Sequence, residues 1–254
     1  MHTIDYTSYR AVKGFGRRVR TLVIHYTAAN FASSVAALAG NGGVSAHYLV
    51  PDPHDSTYAG AGFEGVRIFN LVDEQERAWH AGRSAWAGRS NLNDTSIGIE
   101  LVNQARDSRD GIVFEPYLPE QIDALVSLAL NILQRYPDIV PTQVVGHSDV
   151  SPGRKSDPGP LFPWETLYKA GVGAWYDEAT KSRHWAAFEG GLPTTRQVVA
   201  MLAQYGYDTG TASTDAGLRQ LLRAFQMHFR PSRHDGMLDR ETAAILYALV
   251  EKYV

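Results

Sequence analysis

The feature that most constrains this chain is a set of short, near-continuous apolar runs set between helix-like patterns and turn-rich loops. RVRTLVIHY (18–26) carries Val19, Leu22, Val23 and Ile24 up to His25. VSAHYLV (44–50), VRIFNLV (66–72) and SIGIELV (96–102) follow, and a shorter run spans 143–145. Runs of this length, bounded by turn residues, read as buried strands. Between them lie helical stretches: Phe31 to Ala39, and most clearly Glu120 to Arg135, opened by Pro119 and stopped by Pro137. In the latter, Ile122, Leu125, Val126, Ala129, Ile132, Leu133 and Tyr136 share one face at spacings of three and four. Strands interleaved with helices predict an α/β (α+β) fold, a central mixed sheet flanked by helices. The segment D149-VSPGRKSDPGPLFP is rich in proline and glycine and is expected to be loop.

The composition changes after about residue 185. GGLPTT (190–195) is linker-like, and helical patterns follow over Arg196 to Tyr205, Ala216 to Phe229 and Arg240 to Lys252. Leu218, Leu221, Leu222, Phe225 and Phe229 form one apolar stripe, and Ile245, Leu246, Leu249 and Tyr253 another. The expected organisation is a first domain over 1–185 and a small three-helix module over 190–254. With 44% hydrophobic and 20% charged residues among 254, the chain can bury a core without staples. Its 24 Lys+Arg against 27 Asp+Glu give a net charge of −3, which argues against nucleic acid as a partner. No apolar run approaches the roughly 20 residues of a membrane span. The start, Met1-His2-Thr3-Ile4-Asp5-Tyr6, has no basic flank leading into an apolar stretch, so no cleaved leader is expected from it.

Cysteine is absent, so any transition-metal site must use histidine and carboxylate. His25 ends one strand, His147 follows another, and Asp157 lies ten residues beyond it. Two imidazoles and a carboxylate suit a catalytic zinc with the fourth position left to water. By spacing alone, two satisfied core histidines and a turn aspartate before Pro158 fit at least as well. Glu100, after the strand SIGI, could do general acid–base work or be an exposed strand-edge charge. Lys155 could face a developing oxyanion and Arg154 could clamp a carboxylate; both also read as solvated loop residues. His80 in AWHAG could contact substrate or brace a ligand, and is as readily a buried structural histidine. His47 reads as structural, and His54, His184, His228 and His234 carry no assigned role. Trp79 and Trp86 could line a groove or simply pack. Ser148 beside His147 lacks a G-x-S-x-G elbow, which weakens a serine hydrolase reading.

Taken in order, LVIHYTA (22–28), SAHYLV (45–50), AWHAG (78–82), NDTSIGIELVN (93–103), VVGHSDVSPGRKSDPGP (144–160) and FPWETL (162–167) resemble the type 2 zinc-dependent N-acetylmuramoyl-L-alanine amidases. That group includes the AmpD and AmiD enzymes and is related to animal peptidoglycan recognition proteins. The resemblance covers about residues 18–175 and implies a mixed sheet with a zinc groove. It implies Zn²⁺ on His25, His147 and Asp157, Glu100 as the general base and acid, and Lys155 as the oxyanion stabiliser. Arg154, His80, Trp86 and Asn93 are the expected substrate-groove residues. A tyrosine carried by some branches immediately before the second-strand histidine is replaced here by Ala46, which leaves the proton transfer to Glu100. LRQLLRAFQMHFRPSRHDGMLDRETAAIL (218–246) resembles a three-helix peptidoglycan-binding domain through AFQ…F and DG-x-LD-x-ET. Together these imply cleavage between N-acetylmuramic acid and L-alanine, with peptidoglycan polymer or large fragments as the partner. The implied location is the periplasm or cell envelope, with cytoplasmic residence or export without a cleaved signal as the alternatives. A non-catalytic wall-recognition protein and a metallopeptidase cutting inside the stem peptide are the competing readings. Oligomeric state is left open.

Overall fold

The computed structural model describes residues 3–14, 16–109 and 111–254; the start from which no cleaved leader is expected includes Met1 and His2, which lie outside the described residues. The first half runs β1 (Thr21–Tyr26), α1 (Phe31–Ala39), β2 (Tyr48–Val50), α2 (Ser56–Gly60), β3 (Phe69–Asn70), β4 (Ala85–Trp86), β5 (Arg89–Ser90), β6 (Ser96–Leu101), β7 (Arg106–Ser108), β8 (Gly111–Val113), α3 (Pro119–Arg135) and β9 (Val144–Gly146). Helices α4 (His147–Val150), α5 (Trp164–Lys169), α6 (Glu178–Ala187), α7 (Thr195–Tyr205), α8 (Asp215–Phe229) and α9 (Arg240–Tyr253) complete the chain.

The five-stranded sheet has the order β3-β2-β6-β1-β9. It is mixed: β1 runs parallel to β6 and β9, β2 runs parallel to β6, and β3 is an antiparallel edge. The parallel strands are buried on both faces, which is why they read as continuous apolar runs rather than alternating ones. Helix α3 starts on Pro119 and buries Ile122, Leu125, Leu128, Ala129 and Ile132. Its buried Gln121 donates to the Val50 and Val102 carbonyls, satisfying backbone where β2 and β6 end. Because β1, β6 and β9 are parallel, His25, Glu100 and His147 emerge together at their carboxyl ends, the usual ligand side of such a sheet.

Several strands are shorter than their apolar runs. The run at 44–50 forms a strand only from Tyr48, because the Gly98 N–H donates to His47 Nδ1 instead of a backbone carbonyl, and the ladder stops there. The loop expected after Asp149 begins instead with the single turn α4, closed by the Asp149 side chain on the Gly146 N–H. Hairpins β4–β5 and β7–β8, and helices α2, α5 and α6, are additions to the sequence reading.

In the C-terminal region, Thr194, Thr214 and Asp239 cap α7, α8 and α9 with side-chain acceptors. Helix α6 packs along α9. One apolar core runs from the sheet through Trp86, Trp164 and Trp175 into Tyr205, Phe225, Phe229 and Leu246, so both halves share it. No helix among the described residues is long and apolar enough to cross a membrane.

Candidate active site

His25, His147 and Asp157 converge at the carboxyl end of the sheet, each under 10% exposed. His25 Nδ1 lies 3.0 Å from His147 Nδ1 and 2.9 Å from Asp157 Oδ2, and His147 Nδ1 lies 3.0 Å from the same oxygen. The outer nitrogens explain why both inner ones are free to ligate. His147 Nε2 donates to the Ala81 carbonyl at 3.0 Å, which leaves its Nδ1 a bare lone pair. His25 Nε2 meets His80 Nδ1 at 2.9 Å, and His80 Nε2 meets Ser96 Oγ at 3.1 Å, whose hydroxyl donates to the Leu92 carbonyl. That relay, read outward as successive donors, leaves His25 Nδ1 bare as well.

Two lone pairs and a carboxylate oxygen within 3.0 Å repel one another unless a cation sits among them. The edges of a tetrahedral zinc site with bonds near 2.0–2.1 Å are about 3.3 Å, only a few tenths wider than the triangle seen here. The residues therefore fit a metal ion. Burial and the neighbouring His147 charge lower the His25 pKa to about 4, against the pull of Asp157, and burial lowers that of His80 well below its usual value. Burial pushes the Asp157 carboxyl up, but the charge and hydrogen bond of His147, joined by His25, outweigh it and hold it ionised. His25 thus offers a neutral imidazole and Asp157 a carboxylate, forms a metal takes.

Glu100 pairs in register with His25 across β6 and β1, so it faces the same end of the site. Its Oε2 is buried and has no hydrogen-bond partner among the described residues. Burial first, and then the Asp157 charge, raise its pKa to about 8, while Lys155 pulls it back. An unpaired buried carboxylate beside a cleft has the disposition of a proton-transfer group. The cleft itself holds about 460 Å³ and is lined by Glu100, His80, His147, Lys155 and Asp157 among others. Helix α1 contributes Ser33, Ser34 and Ala37 to its wall, and the β7–β8 hairpin contributes Arg106, Asp107 and Ile112.

The expected groove residues divide. His80 lines the cleft and braces His25. Arg154 lines it too, but Nε bonds Ser151 Oγ and Nη2 bonds the carbonyls of Ala81 and Arg83, so much of its fork already holds protein. Asn93 and Trp86 are corrections, since neither lines the cleft. Asn93 is buried, and its Oδ1 accepts from the His80 and Ala81 N–H groups, so it shapes the loop that carries His80. Trp86 is 2% exposed, donates to the Thr142 carbonyl, and packs edge-on against Tyr207 of the C-terminal region. Trp79 does line the cleft, half exposed, with the Arg77 guanidinium 4.1 Å above its ring. The His47 ring bonds backbone, accepting from the Gly98 N–H and meeting the Glu76 carbonyl. The sequence reading missed Tyr26 and Ser156, joined at 2.9 Å on the cleft wall, and His228, which is buried against Asp149. Tyr26 directly follows His25, a signal that was available; nothing local marked His228.

Residues 15–160 match the N-acetylmuramoyl-L-alanine amidase family, and residues 193–246 match a putative peptidoglycan-binding domain. The chain is 48% identical over 238 residues to N-acetylmuramoyl-L-alanine amidase AmiD of Escherichia coli, covering 93% of this chain and 84% of that protein. The crystal structure of AmpDh3 from Pseudomonas aeruginosa is 61% identical with a TM-score of 0.96, covering 100% of this chain and 99% of that one. AmpDh3 has also been crystallised with an anhydromuramic pentapeptide. AmiD bound to anhydro-N-acetylmuramic acid-L-Ala-D-γ-Glu-L-Lys is 46% identical with a TM-score of 0.86, covering 97% of this chain and 94% of that one.

Proposed function

Because the chain belongs to the N-acetylmuramoyl-L-alanine amidase family, we propose that it hydrolyses the amide joining the lactyl group of muramic acid to L-alanine in peptidoglycan. The observation that carries this reading is the juxtaposition of a buried His25–His147–Asp157 triangle with the unpartnered Glu100 carboxylate at one cleft. The ion assigned to the triangle is zinc, which when bound supplies Lewis acidity that acidifies water and polarises a carbonyl. Glu100 takes the proton of the attacking water on Oε2 and returns it to the departing alanine nitrogen, the role a carboxyl titrating near 8 can play in both directions. Lys155, at the cleft wall, sets its ammonium against the oxygen that gains charge. His80 holds His25 in the ligating tautomer, and Asn93 holds the loop of His80.

The substrate class is a muramyl peptide of the kind bound by AmpDh3 and AmiD, either as polymer or as large fragments. The division at about residue 190 assigns wall docking to the C-terminal helices, which raise the local concentration of the cleft on the polymer. A wall-docking module supports work at the periplasm or cell envelope.

Digestion of intact peptidoglycan sacculi tests the reading. Soluble stem peptides beginning with L-alanine, lost on chelation and restored by zinc, are expected. Fragments cut within the stem would replace the bond, and wall binding without release would mark a recognition protein.

A further inference from the structure

The C-terminal helices reach the candidate metal centre through one buried carboxylate. Asp149 is fully buried in α4, two residues after His147. Its Oδ2 accepts from the Gly146 N–H at 2.7 Å, closing the turn that begins with His147, and from His228 Nδ1 at 2.7 Å. Its Oδ1 accepts from the Tyr207 hydroxyl at 2.6 Å. His228 belongs to α8 and Tyr207 follows α7, so two of the three donors come from the C-terminal region. The His228 ring is itself fixed between Trp164 at 3.8 Å and Phe229 at 3.9 Å, both nearly parallel to it.

The same turn governs the third ligand. The Ser148 N–H donates to the Asp157 carbonyl at 2.8 Å, and a Cβ on Gly146 would lie 2.7 Å from Pro158 Cδ, so turn and ligand loop are in close contact. A module that only tethers an enzyme to its polymer needs a linker and no such contact. A buried carboxylate, moreover, is tolerated only where donors satisfy it. Here the helical module supplies them.

We propose that His228 and Tyr207 are positioning residues for the metal centre: through Asp149 they fix the turn that presents His147. The C-terminal module thus completes the site as well as docking on the wall. The inference rests on the assignment of His25, His147 and Asp157 as metal ligands.

Its test uses the full chain as wild type, His228→Phe, His228→Asn and Tyr207→Phe. Each is stripped of metal and titrated with Zn²⁺ against a competing chelator and with Co²⁺ by visible absorption. Melting of each metal-free protein fixes a temperature at which all are folded. His228→Phe keeps the stacked ring and loses the donor; His228→Asn returns an N–H near the Nδ1 position. His228→Phe is expected to weaken zinc affinity by about 10–100-fold and to alter the Co²⁺ spectrum. Tyr207→Phe should weaken binding several-fold, and His228→Asn should recover to within about threefold of wild type. Wild-type affinity and spectrum in both His228→Phe and Tyr207→Phe, whatever happens to melting, would overturn the proposal. Should His228→Phe fail to fold, Tyr207→Phe decides by the same criterion. A wild type that binds neither ion would overturn the ligand assignment itself.

Discussion

Glu100 shows how a single residue's surroundings set its titration and its share of stability. Its carboxyl titrates near 8 rather than near 4.5, so in the metal-free protein its contribution to stability is complete below pH of about 4.5 and is lost as pH rises through about 8. Metal-free Glu100→Gln should therefore melt with wild type near pH 4 and above it near pH 8, by about 1 kcal/mol or more, some 2–4 °C for each kcal/mol. Equal melting at both pH values would contradict the burial. The same variant should retain zinc and lose about 10²–10⁴ in turnover. Lys155→Ala should keep the metal and lose at least about tenfold, consistent with the roughly 10² lost with comparable oxyanion donors. Near-normal turnover would remove Lys155 from the chemistry. That Glu100 and Lys155 border one cleft with His147 and Asp157 could be read from the end of an apolar strand, for Glu100, and from a Gly/Pro-rich loop, for Lys155 and Asp157. Trp86 and Asn93 were misread because a tryptophan that lines a groove and one that fills a core have the same letters around them.

At the level of elements, β6 depends on Gly98. A Cβ there would lie 2.4 Å from His80 Cγ, so Gly98→Ala must push His80 off His25. The expected result is a loss of roughly 1–3 kcal/mol from overpacking, with weaker metal binding because the His25 tautomer is released. Unchanged melting and unchanged zinc affinity would show that the ring can move freely. The parallel strands were legible because burial on both faces makes them continuous apolar runs. The β7–β8 hairpin, which forms a cleft wall, was not: Arg106, Asp107 and Ser108 are exposed and carry no periodic signal. Nor could the late start of β2 be read, since it turns on a side chain, His47, taking a backbone carbonyl's place.

Over the whole molecule, one core joins the sheet to the C-terminal helices, and Trp86 stands at the junction against Tyr205 and Tyr207. Trp86→Ala should cost about 3–5 kcal/mol and lower a single unfolding transition. Two separate transitions, with one half untouched, would contradict the shared core. The change in composition near residue 185 was legible, and with it a helical module. Its union with the first half was not, because Tyr207–Asp149 and His228–Asp149 are contacts 58 and 79 residues apart in sequence. The assigned bond is tested most directly by cleaving a purified anhydromuramyl peptide in oxygen-labelled water and weighing both products. One heavy oxygen in the muramic acid product, and none in a peptide beginning with L-alanine, is the predicted result. Heavy oxygen in a sugar fragment that still carries L-alanine would contradict it.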